Sequence, residues 1–395
     1  MAKESNLKIT VSIFRRRLDW FLRPVLSHVR NLRGGARRRI SFPLCGTVRL
    51  LAVAIAATVL AATATLSYAQ SSWTFGAPLP KAMGEIVGVT IGRSVFVLAG
   101  LDDEIFAPYG AVYRYDEDAG KWTTLQKMPL PAHHIMATAY AGKIYVFGGF
   151  TRPPDLKSWQ PTSAAWQYDP STNAWEALAP LPRPRGAGQA VTVGDKIYIV
   201  GGACSDTEGK TSNPITPKSP GQVVVGFVDE YDPATNTWMR KADMPTPRNH
   251  FVAAESGGKI YAIDGRIGAV FVTMAGITDV VEEYNPASDK WKLVSRAPTN
   301  RGDVSGAVLN GKIYVAGGEF QDSNRKMAFW AVEAYDPATN TWEAMPHMQI
   351  TRHGFAMAFV DNKLHVVGGS FQSDGMPGIF SETATHEVLT IMERK

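Results

Sequence analysis

Cysteine is nearly absent from this chain, with only Cys45 and Cys204 among 395 residues. That excludes a disulfide framework and a thiolate zinc site. Basic charge is missing from most of the chain as well. The formal net charge of +5 comes from the first 49 residues, which hold 12 Lys and Arg against 2 Asp and Glu. The remaining residues carry 29 basic and 34 acidic side chains, a net of −5. A nucleic-acid-binding body needs a basic patch, so no nucleic-acid partner is expected. Long apolar runs are missing too, apart from the uncharged 17 residues Leu50–Leu66.

That single run organises the beginning of the chain. Arginines precede it and Ser67-Tyr68-Ala69 follows it as a small-x-small cleavage signature, the anatomy of a secretory signal peptide. Seventeen residues also lie at the lower edge of a spanning helix, so an uncleaved anchor is the alternative. In that case the Arg-rich side stays cytoplasmic and the membrane is met only through the leader. Arg37-Arg38-Arg39-Ile40 weakly resembles a twin-arginine export signal. The expected organisation is a basic extension over 1–49, a signal sequence or anchor over 50–69, and a folded body over 70–395. The body is expected outside the cytoplasm, periplasmic or secreted, and monomeric.

The body repeats itself. GKIYVFGG (142–149), GDKIYIVGG (194–202), GKIYAIDG (258–265), GKIYVAGG (311–318) and NKLHVVGG (362–369) are five copies of one unit, and RSVFVLAG (93–100) is a weaker sixth. A second unit, Tyr-turn-Trp, follows each of the first five: Tyr115–Trp122, Tyr168–Trp175, Tyr231–Trp238, Tyr284–Trp291 and Tyr335–Trp342. The Asp, Pro and Asn between them are turn formers, and the flanking Val, Ile, Tyr and Trp suit half-buried strands. Each period of roughly fifty residues therefore reads as four strands. The last copy lacks its Trp, which reappears at the other end as Trp73 followed by Ala77-Pro78-Leu79-Pro80. The N-terminal strand should complete the last unit and leave no free sheet edge.

These units closely resemble the kelch repeat, as found in exported bacterial kelch proteins. The resemblance implies an all-β, six-bladed propeller with four antiparallel strands per blade. It also implies that partners bind on the face carrying the loops between the second and third strands. Those loops are long here, near 101–110, 150–163, 203–227, 266–279, 319–330 and 370–380, and long loops on a rigid scaffold tend to carry function.

Alignment on the turn lysine gives two further positions. Eleven residues before it lie Arg185, Arg248, Arg301 and Arg352; nine before it lie His134, His250 and Asp303. One reading is a cationic ring around the channel that recognises anions. The other is structural: Asp229, Glu282 and Glu333, two residues before the repeat Tyr, would pair with the arginines inside each blade. His133, His134, His250 and His353 show no close two-histidine spacing on one strand, so no metal is expected. Cys204, alone in a long loop, reads as incidental, and the apolar loop 266–279 either lines a cleft or covers a blade.

Two enzyme classes are built on such propellers. Galactose oxidase has a kelch-type propeller with a copper site. Here ten of 13 tyrosines sit in or beside the repeat strands, so that chemistry and its cofactor are not expected. Six-bladed mutarotases of the sialic-acid type carry a Glu directly after a blade's Gly and an Arg six residues on. Gly318-Glu319 and Arg325 are similar, with Glu319 and Arg325 then serving proton transfer and carboxylate binding. The leading expectation is a non-catalytic protein without a cofactor, holding a protein or glycan partner on its long-loop face. Mutarotation is the alternative.

Overall fold

The computed structural model describes residues 72–102, 107–153, 158–206, 208, 221–270, 275–373 and 381–392. The leader and its cleavage signature lie outside these residues. The described residues are all-β and form six four-stranded antiparallel sheets. Each innermost strand packs against the next and the sixth packs back on the first, which makes a closed six-bladed propeller. Blade 3 shows the plan: Gln189–Val193 innermost, then Lys196–Val200, Val228–Asp232 and Thr237–Lys241.

Closure follows the expectation. Trp73–Phe75 is the outermost strand of blade 6 and pairs antiparallel with His386–Thr390, Trp73 opposite Leu389. The Trp73 indole N–H donates to Pro346 O of blade 5 at 2.9 Å. This repeats a bond made by Trp175, Trp238 and Trp291 to the exit segment of the preceding blade.

The Tyr-turn-Trp unit has a physical account. The hydroxyls of Tyr168, Tyr231 and Tyr335 donate to Oδ1 of Asn173, Asn236 and Asn340 at 2.6–2.8 Å. Those asparagines sit at φ 53–54°, a left-handed conformation that Asn tolerates better than most residues. Asn236 Oδ1 also accepts the Ala179 N–H at 2.7 Å, so one side chain closes its own turn and ties down the blade before it.

The Gly-Gly unit marks a close approach between blades. Gly317 has φ 62°, and a Cβ there would fall 2.4 Å from Arg352 O and from the Phe355 ring. Its neighbour Gly318 donates its N–H to Arg352 O at 2.9 Å. Between the blades the core is apolar: Tyr314 and Ala316 of blade 5 pack on Phe355, Met357 and Leu364 of blade 6.

Candidate functional site

The two positions singled out by the repeat alignment part company. Arg185, Arg248, Arg301 and Arg352 are fully buried, and each guanidinium is held by an acid of its own blade. Arg185 bonds Asp229 at 2.7 Å, Arg301 bonds Glu333 at 2.9 Å and Arg352 bonds Glu387 at 2.5 Å. Arg248 bonds Glu282 and donates to the carbonyls of Asp264 and Val280 at 3.0 and 2.8 Å. Burial presses the pKa of Arg185, Arg248 and Arg352 downward, and the paired acids oppose it. As ligand-binding residues these four are corrected: they are core ion pairs out of reach of a ligand. Glu387, in a blade without the repeat Tyr, completes the set.

Two residues on, the chain turns toward the axis. Glu85, His134, Ala187, His250, Asp303 and Gly354 all adopt φ of 51–59°. Their backbones form a chain around the channel mouth. His134 N–H donates to Glu85 O, Ala187 to His134, His250 to Ala187 and Asp303 to His250, at 2.8–3.4 Å. These residues rim a channel of about 430 Å³ along the axis, lined below by the innermost strands. One register position thus delivers Glu85, His134, His250 and Asp303 to a single spot from four blades.

A second tier joins them. Asn249 and His353 precede the rim by one residue, and Arg266 and Glu319, each directly after a blade glycine, bridge to Asn249 and Gly302 at this level. Arg266 bonds Glu319 and stands 3.5 Å from Asp303. His353 Nε2 lies 3.7 Å from Glu319 and 4.0 Å from Asp303. His134 Nε2 bonds Glu85 at 2.8 Å, and the rings of His134 and His250 meet with centroids 4.6 Å apart.

The electrostatics are those of a closed polar nest. Burial drives His133 and His250 far below the ordinary histidine range, with neighbouring cationic groups adding to it. Burial also acts to raise the Glu85 carboxyl, but His134, His353 and Arg266 hold it well below the usual carboxylate range. Asp303 goes the other way, pushed up to about 7 by burial and by the Glu85 carboxylate. Burial opposes a charge on His353, yet Glu319, Asp303 and Glu85 raise its pKa.

The structure therefore brings His134, His250, Asp303 and Glu319 together and leaves Arg325 out. The Arg325 side chain is 65% exposed and pairs with Asp322 at 2.9 Å, while Glu319 is buried on Arg266. The expected Glu319–Arg325 pair does not form. Glu85, Asn249 and Arg266 were missed in the sequence, and His353 was named there but set aside. Glu85 could have been found by giving the weak first repeat the same register, and Arg266 by noting that it follows Gly265 as Glu319 follows Gly318. The histidines share no strand; the ring assembles their cluster across blades. Cys204 is a free thiol whose pKa burial raises. In the apolar loop, Val270 packs on Phe150, Ala187 and Ala203, so that part covers the mouth's flank; residues 271–274 lie outside the described set.

Comparison with known proteins agrees with this architecture. The chain is 29% identical over 296 residues to Kelch-like protein terF of Aspergillus terreus, covering 72% of this chain and 60% of that one. Human Kelch-like protein 23 is 24% identical, covering 70% and 44%, and Beta-scruin of Limulus polyphemus 28%, covering 73% and 31%. The chain thus spans less than two thirds of the length of these relatives. Among solved structures, that of YjhT superposes with a TM-score of 0.63 at 18% identity, covering 80% of this chain and 97% of that one. Residues 112–375 match the family described as Attractin/LZTR1 beta-propeller, and with its six repeats the chain belongs to that family of kelch-type β-propellers.

Proposed function

We propose that this chain is an exported binding protein that takes the polar end of a ligand, a glycan or the side chains of a protein partner, into its channel mouth. One observation carries the reading. Buried polar atoms at the mouth and in the layer behind it, namely Asp303 Oδ2 on the channel lining and Glu319 Oε2, His353 Nδ1 and His133 Nε2 behind it, have no hydrogen-bond partner. Leaving such a group unpaired costs about 1–3 kcal/mol, so a site that keeps several unpaired is poised to gain from a hydroxyl- or amide-rich ligand. Trp330, Met327 and Phe371 are exposed apolar side chains on the loops of blades 5 and 6. Export rests on the leader sequence.

The test is saturation-transfer NMR with a sugar panel that includes sialic and uronic acids. A bound sugar should lose its signal in Asp303→Ala and Glu319→Gln and keep it in Arg325→Ala. Binding indifferent to the mouth substitutions would overturn the reading.

Mutarotation remains as a second reading, moved off Arg325. Asp303 and His353 face one another at 4.0 Å beside Glu319, and a carboxyl near pKa 7 suits proton exchange at neutral pH. Anomeric exchange followed by proton NMR should accelerate and should stop in Asp303→Asn; no acceleration for any sugar sinks it.

A further inference from the structure

Carboxylate oxygens at the mouth, Asp303 Oδ2 and Glu319 Oε2, lack a hydrogen-bond donor. Asn249 Nδ2 donates to Ala269 O at 3.2 Å, which turns its Oδ1 toward His250 Nδ1. His250 then carries its proton on Nδ1 and leaves Nε2 as a bare lone pair. Asp303 Oδ2 accepts no hydrogen bond although Asp303 is more than nine-tenths buried. His134 bonds Glu85 through Nε2 at 2.8 Å and meets His133 Nδ1 through Nδ1 at 2.5 Å, so it would exchange one of these bonds for an ion. One donor atom from each of His134, His250 and Asp303 lies within 4.8 Å of the others, and Glu85, Asp303 and His353 form a second such group. Asp303 and Glu319 share the guanidinium of Arg266, and Glu85 bonds His134.

We infer that the channel mouth is a divalent-cation site, with His134, His250 and Asp303 as ligands and Glu85 beside them. Two imidazoles and one carboxylate select a borderline ion such as Zn²⁺ or Ni²⁺ over Ca²⁺ or Mg²⁺. Ligand atoms around a tetrahedral ion lie about 3.3 Å apart, so an inward rotation of these side chains closes the set. Asn249 acts as the outer partner that fixes the His250 tautomer. The channel supplies the open coordination position, where a ligand oxygen could replace water. Because the probe is the ion alone, this site can stand or fall without the ligand reading above.

The full chain, stripped with chelator, is titrated with Zn²⁺ by calorimetry. The expected result is saturable uptake of one ion per chain. Affinity should fall on the order of 100-fold in His250→Gln and in Asp303→Asn, about 10-fold in Asn249→Ala, and not at all in Arg325→Ala. Absence of saturable uptake, or unchanged affinity in the double substitution His134→Gln with His250→Gln, overturns the site. If a substituted chain fails to fold, Cu²⁺ EPR on the unsubstituted protein decides. Splitting from two imidazole nitrogens supports the assignment, and a spectrum from oxygen ligands or one nitrogen refutes it.

Discussion

Two rings, two residues apart in every blade, do opposite things. The outer ring carries Arg in four successive blades, and each Arg meets an acid of its own blade in nearly the same way. The rim carries Glu, His, Ala, His, Asp and Gly, held in one backbone conformation by the same chain of hydrogen bonds. A position that solves the same packing problem in four successive blades can use the same residue each time, while blades 1 and 2 place Met83 and Ala132 there. A position that points at the axis contributes to one shared site, where six identical side chains would repel or crowd. Uniformity across blades marks scaffold, and a held backbone with varied side chains marks the site.

The contrast is sharpest in what each ring should cost. Arg248→Ala removes a buried guanidinium and strands Glu282 together with the carbonyls of Asp264 and Val280. Breaking a buried pair from one side costs about 3–5 kcal/mol. Thermal unfolding should move down by roughly 6 °C or the chain should fail to fold, and the double substitution Arg248→Met with Glu282→Leu should recover much of the loss. A single variant as stable as the parent would return these arginines to the list of ligand contacts.

Variation between blades is not always a site, and the seam of blades 6 and 1 shows why. At the place of Tyr145, Tyr198, Tyr261 and Tyr314, blade 6 has His365. His365 Nδ1 meets His386 Nε2 at 2.9 Å, and both rings are buried beside Tyr115. Burial lowers both pKa values to about 4; Lys363 adds to the effect at His365, and His365 adds to it at His386. In the unfolded chain these groups protonate near 6.5, so the unfolded state binds more protons below that pH. Stability should fall as pH drops from about 6.5 toward 4, by roughly 2–3 kcal/mol per histidine at pH 4.5. His365→Tyr, which restores the repeat residue, should flatten the melting-temperature profile over that interval. A profile unchanged by this substitution would free the seam from this role.

The fold was legible because its signals recur. Gly-Gly, Tyr and Trp each answer a local demand: a close approach, a turn clasp, a bond to the preceding blade. Five repetitions make such demands visible in sequence, and even Trp73 could be assigned to blade 6. The site was legible only in part. His134, His250 and Asp303 fell out of the register, but Glu85 was hidden in a weak repeat. Arg266 and His353 reach the mouth from other register positions, which no single alignment column reveals. Arg325 misled because six residues along a hairpin do not guarantee one direction: the turn gives it Asp322 as a partner.

The smallest expected effect separates the rings most cleanly. Asp303→Asn keeps the size of the side chain and the left-handed backbone, which Asn accepts as readily as Asp. It removes a buried charge whose Oδ2 accepts no hydrogen bond and which shares Arg266 with Glu319. A functional group held in an unfavourable place costs the fold stability, so its removal is commonly neutral or gains about 0.5–1 kcal/mol. The melting temperature, measured with chelator present, should stay within about 2 °C of the parent or rise, while Zn²⁺ affinity and sugar binding fall together. A loss of several degrees would show that Asp303 supports the rim as the arginines support the blades, and the distinction between the two rings would fail at the residue on which the site most depends.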